Sequence, residues 1–296
     1  MSTGEGMRRF KVHREALGGL QPVTSEAGSE GFNSAILVSL ADGSSHIEVS
    51  VCSLDPGGFI RGHLHPFEES FYVLSGEAVV SIDHTAHHLI RDDFGFAPVS
   101  APHAWSNPFE EPVTWYRIRS PQPRPVGEYN GTYPVAEYPQ PATGRRVREL
   151  HPRSRFFGHF DISDMAPPGP LTMPGTHGHN IRDISVRMMV DDVVGAIHHQ
   201  SFMVKIDPPE GDYFSGSAHY HDFEEAYFVL SGQGEVELEG ERFEIQSGDL
   251  VWVDSGTMHA WRAHGGEALR FIELMAPRPP YMNLLFSEAT WREPAD

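Results

Sequence analysis

Apolar and polar positions along the chain alternate in short runs, and turn residues separate one run from the next. Phe71-Tyr72-Val73-Leu74, a Ser75-Gly76 turn and Ala78-Val79-Val80-Ser81-Ile82 read as a strand, a tight turn and a second strand. The run Tyr227 to Leu230, the turn Ser231-Gly232 and Glu235-Val236-Glu237-Leu238 give the same pattern further along. No long stretch carries the three-to-four periodicity of an amphipathic helix, while 29 glycines and 24 prolines punctuate the chain. Many short segments bounded by turns predict an all-β protein.

The two strand-turn-strand units are copies. Phe67-Glu68-Glu69-Ser70-Phe71-Tyr72-Val73-Leu74-Ser75-Gly76 returns as Phe223-Glu224-Glu225-Ala226-Tyr227-Phe228-Val229-Leu230-Ser231-Gly232, a shift of 223 − 67 = 156 positions. The same shift carries His63 to His219, His65 to His221, His103 to His259 and Trp105 to Trp261. A constant offset over that span means a duplicated unit. Between the copies, Ser120 to Thr143 holds Pro121, Pro123, Pro125, Pro134, Pro139 and Pro141, too many for a central strand or a helix interior. The expected organisation is an N-terminal extension over 1–30, a first domain over 31–122, a Pro-rich linker over 123–180, a second domain over 181–277 and a tail over 278–296.

Composition narrows the partners. The 296 residues carry 22 basic and 41 acidic side chains, a net charge of −19, which disfavours nucleic acid and anionic membrane surfaces. No apolar run of 18 residues is present, so no membrane span is expected, and Met1 to Phe10 lacks the apolar core of a signal peptide. The lone cysteine, Cys52, has no partner for an intramolecular disulfide and fits a reducing, cytoplasmic setting. The apolar tail Tyr281 to Phe286 is compatible with a homo-oligomer and equally with packing on its own chain.

Histidine placement carries the chemistry. Residues two apart on a strand share a face, so His63 and His65 project together, as do His219 and His221. Glu69 and Glu225 follow four residues later, and His103 and His259 come 34 residues after the glutamates (103 − 69 and 259 − 225). Three imidazoles and a carboxylate converging inside a barrel would bind one divalent ion per copy: Fe2+ or Mn2+ foremost, with Ni2+, Co2+ or Zn2+ also compatible. His177 and His179 read as a solvent-exposed pair; His87-His88 and His198-His199 are adjacent, face opposite ways and make poor co-ligands.

The spacing Gly57, His63-Leu64-His65, Glu69, Gly76 resembles the first motif of the cupin superfamily, and Pro98, Ser100, His103 and Asn107 resemble the second. The later copy gives Asp254, Gly256, His259 and Ala263, so each half departs from the pattern at turn positions and at none of the ligands. The resemblance covers both halves and implies two tandem cupin (jelly-roll β-barrel) domains. It is similar to metal-dependent bicupin enzymes such as the flavonol dioxygenases. That likeness implies a non-haem dioxygenase using O2 on a small aromatic or enolic, anionic molecule. The alternatives are a non-redox isomerase, decarboxylase, lyase or aminohydrolase, and a non-catalytic ligand-binding bicupin.

Strand parity nominates the neighbours of each metal. Arg61 and Phe59 share the predicted face of His63, with Arg61 a candidate clamp for an anionic oxygen, against the alternative of a solvent-facing arginine. Tyr227 is a candidate proton donor, and Phe71 is its counterpart in the first copy. Trp105 and Trp261 are candidate apolar walls for an aromatic substrate, although core packing accounts for them equally well. Glu68 and Glu224 point away from the ligands and are expected in solvated ion pairs. Trp115-Tyr116-Arg117-Ile118-Arg119 makes the first barrel more cationic than the second, where Phe271-Ile272-Glu273-Leu274-Met275 corresponds.

Overall fold

The computed structural model describes residues 9–23, 26, 28–124, 131–149, 156–168, 182–278 and 286–287. His177 and His179 lie outside them, as does nearly all of the tail. Among the described residues the helical pieces are single 3-10 turns of three or four residues, and the rest of the regular structure is β. None of the helical pieces is long and apolar enough to cross a membrane. The chain folds as two jelly-roll barrels.

The first barrel is one 12-stranded curled sheet built around Glu48–Leu64, Glu68–Ser75, His103–Ser106 and Val113–Ser120. The second is a pair of sheets, one containing Gln200–Ile206, Glu224–Ser231, Leu250–Val253 and Leu269–Ala276, the other Gly216–Tyr220, Gln233–Leu238 and His259–His264. Strand Glu68–Ser75 lies between Val113–Ser120 and Asp93–Ala97, and Glu224–Ser231 lies likewise between Leu269–Ala276 and Leu250–Val253.

These central strands are apolar on both faces because both faces are buried. Phe71, Val73 and Trp115 point into the first barrel with Trp105. Tyr72, Tyr116 and Ile118 point outward and meet Phe228, Trp252, Ile272 and Leu274 of the second barrel in a shared core. Tyr116 stacks on Phe228 with ring centroids 4.9 Å apart. Each such large side chain stabilises by roughly 1.5–3 kcal/mol when fully buried, so the barrels are joined by a true core.

Glu68 and Glu224 complete that junction, and neither is solvated. Each is 1% exposed. Glu68 accepts hydrogen bonds from the backbone of Ile197 (2.7 Å) and His198 (3.0 Å) and from His199 Nδ1 (3.0 Å). Glu224 reciprocates, accepting from Ser44 Oγ (2.6 Å), the backbone of Ser45 (2.7 Å) and His46 (3.0 Å), and Trp252 Nε1 (3.2 Å). Parity does turn these carboxylates away from the metal ligands, but toward the other barrel instead of toward water. His199 also meets Ser70 Oγ at 2.8 Å, so this histidine belongs to the clamp.

Described pieces of the segments expected as extension and linker pair with barrel strands. Phe10–His13 adds to the second barrel by pairing with Leu250–Val253, and Phe157–His159 adds to the first by pairing with Asp93 to Gly95. The strand preceding each barrel therefore completes the sheet of the other. Tyr133–Pro134 pairs with Leu64 and His63, and Arg145–Arg146 runs parallel to His87-His88. Phe286–Ser287, a described piece of the tail, pairs with Tyr220 and His219 of its own chain. Prolines exclude a central strand but not these two-residue edge pairings.

Candidate metal centres

Ile60 pairs with Trp105 and His63 with His103, so the register advances three residues on one strand and two on its partner. Gly216 opposite Trp261 and His219 opposite His259 repeat this bulge in the second barrel. A bulge re-aims the side chains that follow it. It brings Ile60 and His63 to the same interior, whereas simple alternation would have kept Phe59 and Arg61 with His63. Arg61 is accordingly exposed, its guanidinium lies over the Phe59 ring at 5.5 Å, and both line a shallow outer groove with Pro134 and Tyr138. The expected inward clamp is on the wrong side of the sheet; only the Arg61 carbonyl touches the site, accepting from His63 Nδ1 at 2.7 Å.

The three imidazoles of each barrel do converge. Donor atoms of His63, His65 and His103 lie within 4.8 Å of one another, and so do those of His219, His221 and His259. Every ring is oriented by a carbonyl at Nδ1. His65 reaches Gly131 O (3.0 Å) and His103 reaches Ala101 O (3.0 Å). His219, His221 and His259 reach Ser217 O (2.7 Å), Phe223 O (2.9 Å) and Thr257 O (2.9 Å). A carbonyl only accepts, so Nδ1 carries the proton and the Nε2 lone pair faces the centre, the tautomer a metal requires.

In the first barrel Nε2 of His65 and His103 is buried without a hydrogen bond, and Glu69 carboxylate oxygens stand 3.5 and 3.9 Å away. In the second, Glu225 Oε2 stands 2.7 Å from His221 Nε2 and 3.3 Å from His259 Nε2. Burial, reinforced by the neighbouring imidazoles, holds His63 well below its ordinary pKa and brings His219 to about 3. Burial likewise brings His103 to about 4. Three converging imidazoles with an adjacent carboxylate fit a divalent ion at both centres, and in the first the buried Nε2 atoms of His65 and His103 have no other partner.

The surroundings have diverged. In the first barrel Trp105 stacks on Trp115 at 4.3 Å, Phe71 meets Trp105 edge-on at 4.7 Å, and Phe157 closes over Phe71 at 6.4 Å. Arg117 and Arg119 point inward but are not free cations. Arg119 bonds Glu69 at 2.9 Å and Glu26 more closely still, with Glu48 at 3.5 Å, while Arg117 bonds Glu26 at 2.9 Å and Ser50 at 3.0 Å. The cationic lining expected to receive an anionic substrate is thus occupied by the protein's own carboxylates.

In the second barrel the matching positions are smaller or uncharged: Gly216 for Ile60, Phe271 for Trp115, Met275 for Arg119, and Glu273 for Arg117. A cavity of about 60 Å³ results, lined by Gly216, His219, Glu225, Tyr227, Trp261, Phe271 and Glu273 among others. Tyr227 donates a short hydrogen bond to Glu225, and its oxygen is 3.2 Å from His259 Nε2. Burial and the Glu225 carboxylate push both the Tyr227 hydroxyl and the Glu273 carboxyl well above their ordinary ranges.

Glu26, Glu48 and Gly216 were invisible as site residues in the sequence. Glu26 and Glu48 lie far from the histidine motifs along the chain. Gly216 could have been found by applying the repeat offset to Ile60.

Comparison with known proteins agrees with this architecture. The cupin domain model matches residues 50–119 and again 206–275. The chain belongs to the cupins and is a bicupin, two such domains in tandem. A 79-residue stretch, 26% of the chain, is 33% identical to 5-nitrosalicylic acid 1,2-dioxygenase of a Bradyrhizobium species and spans 36% of that protein. Quercetin 2,3-dioxygenase of Bacillus subtilis (strain 168) is 20% identical over 253 residues, covering 78% of this chain and 74% of the relative. Among solved structures, a Lactobacillus farciminis oxalate decarboxylase superposes with a TM-score of 0.63 at 16% identity over 98% of this chain and 91% of its own. Salicylate 1,2-dioxygenase of Pseudoaminobacter salicylatoxidans gives 0.56 at 15% identity over 79% of this chain and 69% of its own. At those identities the structural likeness is one of fold.

Proposed function

We propose that the chain is a metal-dependent dioxygenase whose working centre is the second barrel and whose substrate is a small enolic or phenolic molecule. The cavity that opens onto His219 and Glu225 carries this reading, because the first centre is enclosed by aromatic rings and by internal ion pairs. Two dioxygenases among the relatives support the reaction class. His219, His221, Glu225 and His259 would hold the ion, Fe2+ or Mn2+ foremost. A redox-active ion there supplies Lewis acidity toward an enolate oxygen and one-electron chemistry toward O2.

The chain's own groups do the rest. Val204, Ile206, Phe271 and Trp261 give the substrate an apolar bed and exclude water. Glu225, with the Tyr227 hydroxyl and the Glu273 carboxyl beside it, forms a hydrogen-bonded cluster that can take up the proton a substrate hydroxyl releases and return it later. Among the described residues the cavity lining includes no Lys or Arg, which favours a neutral hydroxyl over a carboxylate as the group that enters and revises the expectation of an anionic substrate.

Oxygen uptake by iron- or manganese-loaded protein should be measured with catechols, enols and β-diketones. Stoichiometric uptake that survives His63→Ala and disappears in His219→Ala is the expected result. Turnover without oxygen consumption, or turnover that depends on His63 alone, would overturn it.

A further inference from the structure

The interior of the first barrel contains an anion pocket that its metal centre does not explain. Arg117 and Arg119, two positions apart on Val113–Ser120, project into the barrel, and both are almost wholly buried. Together they converge on the carboxylate of Glu26, a residue 4% exposed that lies outside the barrel strands. That carboxylate lies within 4.8 Å of the ligand atoms of His65 and Glu69. Arg119 also holds Glu69, but Arg117 has no hydrogen-bonded carboxylate other than Glu26 among the described residues. The second barrel has Glu273 and Met275 at these positions, so the pair exists only in the first.

We propose that Arg117 and Arg119 form a binding site for a small monocarboxylate beside the first metal centre, and that Glu26 is its built-in occupant. Two buried guanidiniums are costly to leave unpaired, and a carboxylate matches their planar donors bidentately. Supplying that anion from the chain keeps the pocket filled at all times. It also makes the first centre unresponsive to external carboxylates, leaving ligand traffic to the second. The proposal concerns the first barrel alone and stands whichever reaction the second catalyses.

The atoms removed by Glu26→Ala are one methylene and one carboxylate, the size of acetate, which makes acetate the probe. The experiment is thermal unfolding of the metal-loaded full chain at fixed pH and ionic strength, with chloride exchanged for acetate. Glu26→Ala should melt below the wild type, and acetate should raise its melting temperature saturably, by about 2–3 °C at ten times the dissociation constant. The wild type and the double variant Glu26→Ala/Arg117→Met should not respond. If Glu26→Ala does not fold unaided, its refolding yield in acetate against chloride reads the same site. An acetate response equal in wild type and variant, or none in the variant, overturns the proposal. So does an acetate response undiminished in the double variant, which would place the anion on the metal and not on the arginines.

Discussion

Gly216 is the position at which the two barrels differ most usefully, because filling it separates stability from activity. It lies on Gly216–Tyr220 with a backbone that alanine can adopt, and it is not among the residues of positive φ. A Cβ added there meets only His219 Cε1, at 4.0 Å, so the new methyl would project into open space beside the ligand. Gly216→Ala should stabilise the protein by roughly 0.4–1 kcal/mol through the unfolded chain, and burial of the methyl adds about 0.8 kcal/mol. Together these raise the melting temperature by about 2–3 °C. The same methyl occupies space the substrate needs, which costs kcat/KM about 10–200-fold. Gly216→Ile recreates the Ile60 of the first barrel and should abolish turnover while both metal equivalents are retained. Calorimetry, metal analysis and oxygen uptake on the same preparations test this. A variant that is more stable yet as active as the wild type would show that the substrate does not enter the second barrel.

His63→Ala and His219→Ala should each lose about one metal equivalent by elemental analysis, and only the second should lose turnover. Glu224→Ala leaves the part-buried Ser45 and His46 amides and the buried Trp252 Nε1 without their acceptor, and should cost roughly 2–4 kcal/mol in denaturant unfolding, with Glu224→Gln milder and metal content unchanged in both. The metal-free protein should lose stability in acid. His63, His103 and His219 have folded pKa values below the unfolded value near 6.5, so between that pH and the folded values the unfolded chain binds more protons and stability falls as the pH is lowered. The slope reaches about 1.4 kcal/mol per pH unit for each histidine, and a flat melting profile from pH 7 to pH 4.5 would contradict the burial of these rings. Tyr227→Phe should keep its metal and its fold but lower kcat more than it raises KM; unchanged kcat would remove Tyr227 from the proton-handling cluster.

Much of this molecule is written along the chain. The period-two pattern specified strands, and the constant offset between Phe67 and Phe223 specified two copies. The His-x-His, Glu and distant His of each copy specified both candidate ligand sets, since local spacing places them on known faces of neighbouring strands. What parity could not supply was any effect of pairing between strands distant in sequence. The bulge before His63 and His219 depends on how that strand meets the one bearing His103 or His259, and it turned Arg61 and Phe59 outward. Glu68 and Glu224 look like surface charges until the second barrel packs over them.

Glu26, the exchanged strands Phe10–His13 and Phe157–His159, and the neutralisation of Arg117 and Arg119 are long-range pairings set by which surfaces must be buried together. The sequence by itself determined which residues can hold a metal. Tertiary structure alone decided that one centre is packed shut by aromatic rings and internal ion pairs while the other opens onto a cavity. Cavity and charge balance are sums over side chains brought together from the whole chain, and no local pattern encodes such a sum.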